Sequence, residues 1–201
     1  SELNKYGARF KYSRFLKVID SSHESVTSNI TTVEMRRDLR LAISEVAEYA
    51  IDFGNEFHIQ SMNGFNIRSS AFRVLNINTD VYLYDTPDST GEKGQISLFS
   101  LNEGSSTPVI QRRNIGVIDY KKGRITLDPI NIVSGKTKDN VDILEISATP
   151  ESNDIIGLQD LYLQLDSSFV DMVVDEISSG ADPSGSTYTV TTSYKNGNII
   201  R

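Results

Sequence analysis

The stretch Phe10–Arg40, FKYSRFLKVIDSSHESVTSNITTVEMRRDLR, decides how the fold is read, because it holds a periodic helix, a polar turn and a β-branched run in that order. Tyr12, Phe15, Leu16 and Ile19 fall at i, i+3, i+4 and i+7, which places them on one face of a helix. Lys11, Ser13, Arg14, Lys17 and Asp20 take the other positions and stay in water. Ser21–Ser25 supplies the small polar residues that end a helix and start a turn. From Val26 the pattern is β-branched and alternating, but the alternation slips. Val26, Ser28 and Ile30 share one face, whereas Val33, Met35 and Leu39 share the other. One extra residue near Thr31–Thr32 would flip the phase, so a bulged strand is expected there.

Outward from this stretch the chain reads mainly as strands. Tyr49, Ile51 and Phe53 alternate with Glu48, Ala50 and Asp52, and Gly54-Asn55 then makes a two-residue turn returning through Glu56–Gln60. A helix through Leu39, Ile43, Val46 and Ala50 is the rival, disfavoured by Asp52, Gly54 and Asn55. Asn63-Gly64 is a further turn signal. Strands are predicted over Ile67–Ile77, Val81–Tyr84, Gln95–Leu101, Val141–Ala148, Leu161–Leu165 and Tyr188–Thr192. Asp85–Gly91 between two of these reads as a loop. The most legible hairpin is Ile115–Tyr120, the turn Lys121-Lys122-Gly123, and Arg124–Leu127. A second helix is possible at Phe169–Ile177. The expected class is α+β: a strand-dominated mixed fold with one clear N-terminal amphipathic helix and several antiparallel hairpins. A soft boundary at Ile77–Asp80 separates an α+β part, residues 1–78, from a β-rich part, residues 79–201; a single compact unit is the alternative.

Composition narrows the chemistry. At 201 residues, 38% hydrophobic and 23% charged, the chain can bury a real core. No apolar run approaches the roughly 18 residues that span a bilayer, so no membrane partner is expected. A net charge of −7 argues against nucleic-acid binding. With no cysteine, disulfides and thiolate chemistry are excluded, which suits a reducing compartment. The chain opens at Ser1 without methionine or a signal-peptide pattern, which reads as a processed protein or a piece of a longer one.

Residues that could carry catalysis do not assemble into a motif. His23 and His58 have no zinc-ligand spacing, and no phosphate-binding loop, dinucleotide fingerprint or nucleophile elbow occurs. Asp171, Asp175 and Glu176 are the nearest thing to a carboxylate pair, and surface acids are common. The expectation is no enzyme, no cofactor and no metal. Two features suit contacts instead. Arg112, Arg113, Lys121, Lys122, Arg124, Lys136 and Lys138 make a basic segment in an acidic chain. It reads as a strip for an acidic partner or, more simply, as lysines guarding a hairpin edge. Ser168–Gly180 concentrates Phe169, Val170, Met172, Val173, Val174 and Ile177 among acids. It is either core or a patch buried against another subunit. The candidate interface residues are Arg112, Arg113, Lys121, Lys122, Phe169, Met172, Val173 and Ile177.

Five phrases in order, YSRFLKVID at 12–20, SNITTVEMRRDLR at 28–40, FGNEFHI at 53–59, RRNIGVIDYKKG at 112–123 and NDIIGLQDLYLQLD at 153–166, with SYKNGNIIR at the end, carry a family resemblance. Together they resemble the C-terminal part of the baseplate wedge subunits of large contractile-tailed phages, wedge protein six of the baseplate J-like family. The resemblance implies a homodimer that joins other baseplate wedge proteins in a ring around the hub, a ring that rearranges when the sheath contracts. It implies residence in the virion tail baseplate, with assembly in the host cytoplasm. The competing expectation is a carbohydrate- or receptor-binding β module, which would use exposed aromatics such as Tyr82, Tyr84 and Tyr120.

Overall fold

The computed structural model describes residues 9–102, 104, 107–157, 163–174, 192–195 and 198–200. In chain order its elements are β1 (Arg9–Phe10), α1 (Tyr12–Asp20), β2 (Met35–Arg40), β3 (Val46–Asp52), β4 (Ile67–Ser69), β5 (Arg73–Val74), β6 (Tyr82–Pro87), β7 (Lys93–Leu101), β8 (Pro108–Asp119) and β9 (Arg124–Ser134). There follow β10 (Lys136–Lys138), β11 (Val141–Ala148), β12 (Ile155–Ile156), a 3-10 turn (Ser167–Phe169), β13 (Val173–Val174), β14 (Thr192–Lys195) and β15 (Asn198–Ile200). Strands hold 49% and helices 7% of the described residues, which overturns the α+β expectation. The chain is mostly β, and α1 is an appendage that buries none of its residues.

Contacts divide the chain into two units, Ser1–Leu161 and Tyr162–Arg201. The first is built on two antiparallel sheets. One is six-stranded, ordered β3-β9-β8-β7-β6 with β5 also on β9; the other is four-stranded, ordered β10-β11-β2 with β4 also on β11. The chain passes from one sheet to the other between β9 and β10. Ile96, Leu98, Ile118, Ile125, Leu127 and Ile132 of the larger sheet and Leu144 and Ile146 of the smaller are fully buried in one cluster. Each such side chain is worth about 1.5–3 kcal/mol of apolar burial. Because β2, β3 and β4 pair with β11 and β9, sheet pairing runs across residues 77–80. The second unit holds the antiparallel set β13-β14-β15.

The predicted β8–β9 hairpin forms, pairing Gly116 with Leu127 through to Asp119 with Arg124. Gly123 turns it at φ 64, and a side chain there would meet the Asn55 carbonyl oxygen at 1.9 Å. Val141–Ala148 is a strand as predicted. Other local expectations fail. The β-branched run 26–34 pairs with nothing regular among the described residues, and the strand begins only at Met35, so there is no bulge at Thr31–Thr32. Thr31 instead gives its carbonyl to the Tyr12 hydroxyl at 2.6 Å, and Ile30 is 97% exposed. The predicted strand forms as β3, Val46–Asp52, but its partner is β9; the expected return, Glu56–Gln60, lies against residues 149–151 through Phe57–Pro150 pairing. Residues 67–77 break into β4 and β5, as Ser70 turns its backbone to Glu145. Of the predicted strand over 161–165, the described residues 163–165 are irregular, and of that over 188–192 only Thr192 is described, where it begins β14.

Candidate interface surfaces

Within the basic segment, five cations already have partners. Lys121 bonds Glu92, Lys122 approaches Asp119 at 3.9 Å, Arg124 meets Asp52 at 2.7 Å, Lys136 meets Glu145 at 2.7 Å, and Lys138 bonds Asp38. The Glu92 carboxylate raises the Lys121 pKa, and the hydrogen bond from Arg124 lowers that of Asp52. These pairs are exposed and each is worth no more than about 1 kcal/mol, but they already occupy the cations. Arg112 and Arg113 differ. Both are exposed, and neither has an ion pair among the described residues.

The two arginines sit where β8 leaves its neighbour. β9 pairs with β8 only over Gly116–Asp119, whereas β7 stays paired out to Pro108. Residues 113–115 oppose a single β7 residue, Ser97, in a bulge where Asn114 takes φ 54 and its N–H reaches the Ser97 hydroxyl at 3.2 Å. The far end of β8 is therefore an open edge, guarded by a bulge, a proline and charge.

In the second unit, Met172 is 80% and Val173 62% exposed, and Leu165 and Val170 are exposed with them. Residues 170–172 are irregular and Val173 begins a strand, so no helix starts at Phe169. Ile177 and the Phe169 side chain lie outside the described residues. Of the carboxylate candidates, Asp171 is exposed, and Asp175 and Glu176 lie outside the described residues.

A buried polar cluster escaped the sequence reading. Asp85, taken as a loop residue, is a fully buried member of β6. Its carboxylate accepts from the Tyr120 hydroxyl at 2.6 Å, the Asn66 N–H and side-chain amide at 2.7 Å each, and the Ile67 N–H at 2.9 Å. Burial, then the facing carboxylate, pushes the Tyr120 phenol far above its ordinary value. Asp85 thereby pins the loop between Ser61 and Ile67 onto β6. That loop carries Phe65, whose ring stacks on Tyr84 at 5.0 Å and meets Phe99 edge-on at 5.4 Å. Asn63-Gly64 beside a phenylalanine was the available signal. Tyr84 and Tyr120, offered as ligand-binding aromatics, are buried; Tyr82 alone of the three is partly open.

His58 bonds Glu151 at 2.7 Å, and His23 accepts the Ser25 N–H at 3.1 Å. Among the described residues no group of three or more His, Asp or Glu side chains is placed to hold a metal ion, and no helix is long and apolar enough to cross a membrane.

A family model for the baseplate structural protein gp6, C-terminal domain III, matches residues 1–38. Its described part runs through β1, α1 and the irregular segment into β2. The match relates this segment to a structural protein of the phage baseplate, and so to the virion tail. No curated protein matches the chain.

Proposed function

We propose that this chain is a structural, non-enzymatic subunit of a phage baseplate wedge, which self-associates and contacts other wedge proteins in a ring around the hub. The observation that carries the reading is the match of residues 1–38 to a baseplate structural protein. That segment is tied into the fold at both ends: Phe10 pairs with Ile155, and β2 pairs along β11. Exposed Met172 and Val173 supply a surface with the character of an unfilled subunit contact. In this reading the ring shifts as the sheath contracts, and the paired charges around both sheets keep the domain rigid while its joints move.

Size-exclusion chromatography with light scattering, over a micromolar dilution series, tests self-association. A dimer that persists on dilution, and that Met172→Asp converts to monomer, is the expected result. A monomer at every concentration would overturn it.

A further inference from the structure

We propose that Arg36, Ser147 and Arg68 form a binding site, on the open face of the smaller sheet, for a phosphate group, free or as a monoester. The register sets the three residues in one row. Ser147 of the middle strand β11 lies opposite Arg36 of β2 on one side and opposite Arg68 of β4 on the other. Residues directly opposite in antiparallel strands share a face, and successive residues of a strand alternate between faces. Leu144, Ile146 and Ala148 belong to the core, as do Met35 and Ile67, which both lie opposite Ala148. The row of Arg36, Ser147 and Arg68 is therefore on the outer face, and both arginines are exposed.

The carboxylates of this face are already taken. Lys136 meets Glu145 at 2.7 Å, and Lys138 meets Asp38 at 2.5 Å. Arg36 is left 3.7 Å from Asp38 and 3.9 Å from Glu145, too far to hydrogen-bond either. Among the described residues Arg68 has no ion pair and the Ser147 hydroxyl has no hydrogen bond. Glu34, one residue before β2, pairs with neither arginine. Arg36, Arg40, Arg68, Lys136 and Lys138 against Asp38 and Glu145 make the face positive, in a chain whose net charge is −7.

Geometry and charge select the ligand. Neighbouring strands lie about 4.8 Å apart, so the two arginine backbones are about 10 Å apart with the serine between them. Two long side chains can close over the serine from opposite sides. An anion held there replaces the repulsion of two guanidiniums by charge-assisted hydrogen bonds. A carboxylate brings one charge and two oxygens in a plane, which a single guanidinium fork satisfies. A tetrahedral dianion brings two charges and enough oxygens for both forks and the hydroxyl. Nucleic acid is a poor occupant, because the row meets one phosphate while the net charge of the chain repels a polyanion.

The test titrates the nitrogen-15-labelled full chain with sodium phosphate and, separately, with glycerol phosphate, at constant ionic strength, and follows the amide resonances. Saturable shifts gathered on Arg36, Arg68, Ser147 and their strand neighbours are expected. Saturation by both ligands means that the site takes the group whatever carries it; saturation by one alone assigns the source to the free ion or to the ester. Arg68→Gln should weaken binding about tenfold and Ser147→Ala a few-fold. Arg113→Gln, an equal loss of charge on the larger sheet, should leave it unchanged, and acetate should bind at least about tenfold more weakly. Arg68→Lys, which keeps the charge and loses the fork, is the companion variant should Arg68→Gln unfold, and it too should weaken binding. The proposal is overturned if shifts grow linearly or spread over the chain for both ligands, or if the Arg68 variants titrate as the parent does. It is equally overturned if Arg113→Gln weakens binding as much, or if acetate binds as tightly, since general charge would then account for the effect.

Discussion

Helix α1 and the β8–β9 hairpin both carry a regular apolar face, yet α1 buries none of its residues whereas Ile118, Ile125 and Leu127 are fully enclosed. The hairpin is sandwiched between β7 and β3 within its sheet, and its inner face meets side chains from both sheets. α1 has a few local ties instead. Asp154 accepts the Tyr12 N–H at 2.9 Å across the helix start, where a carboxylate suits the dipole. Phe15 packs on Phe10 at 5.9 Å, and the Tyr12 hydroxyl bonds Thr31. Amphipathicity says which face wants cover; only neighbours supply it.

That contrast has measurable consequences. The largest lies in the hairpin: Ile125→Ala should lower the unfolding free energy by about 2–5 kcal/mol, seen as a shifted urea midpoint at unchanged slope. Next comes Tyr120→Phe, which deletes one of four donors to the buried Asp85 carboxylate and should cost about 1–3 kcal/mol. The same variant has a pH signature. The Tyr120 phenol titrates higher in the folded chain than its ordinary 10.0, so its contribution is complete below that value and is lost as pH rises above it. Urea titrations should therefore find the gap between parent and Tyr120→Phe narrowing above about pH 10. Leu16→Ala in half-open α1 should cost only about 1 kcal/mol, because most of the transfer and cavity penalty is missing. Were it to match Ile125→Ala, α1 would be part of the core and the contrast would collapse.

How legible each region was follows from the same physics. The hairpin was readable because strand period, glycine turn and both strands occur within Ile115–Leu127, so local sequence and tertiary pairing agree. α1 was equally readable, yet the α+β class drawn from it was wrong, since one exposed helix adds little to a fold whose core is all strand. The run 26–34 misled for another reason. Its β-branched residues favour extended backbone, but no strand of the described residues pairs with it. Asp85 was unreadable because Asp85-Thr86-Pro87 has loop composition; what makes it strand is the ladder to Ile96 and Gln95 and the donors that converge from residues far along the chain. The candidate surfaces were half legible. The basic segment was visible in the sequence, but only geometry separates Arg112 and Arg113 from the paired cations around them.

The smallest effect lies at the far end of the β8–β9 hairpin, where Asp52 and Arg124 are a register pair joined by the Arg124 Nη2 bond to Asp52 at 2.7 Å. Both side chains are partly in water, so at neutral pH Asp52→Asn should cost no more than about 0.5 kcal/mol. The sign with pH is opposite to that of Tyr120. The Arg124 hydrogen bond holds the Asp52 carboxyl below its ordinary 3.8, so its contribution is complete above that value and is lost as pH falls through the folded value. Parent and Asp52→Asn should thus converge in stability on the acid side, and raised salt at pH 7 should shrink the gap in the same direction. A gap that persisted into strong acid would mean that the asparagine disturbs the Asp52 bond to the Gly54 N–H, at 2.9 Å, which shapes the turn after β3. The hairpin would then depend on that turn rather than on the ion pair, and the enclosed apolar face would carry still more of its stability.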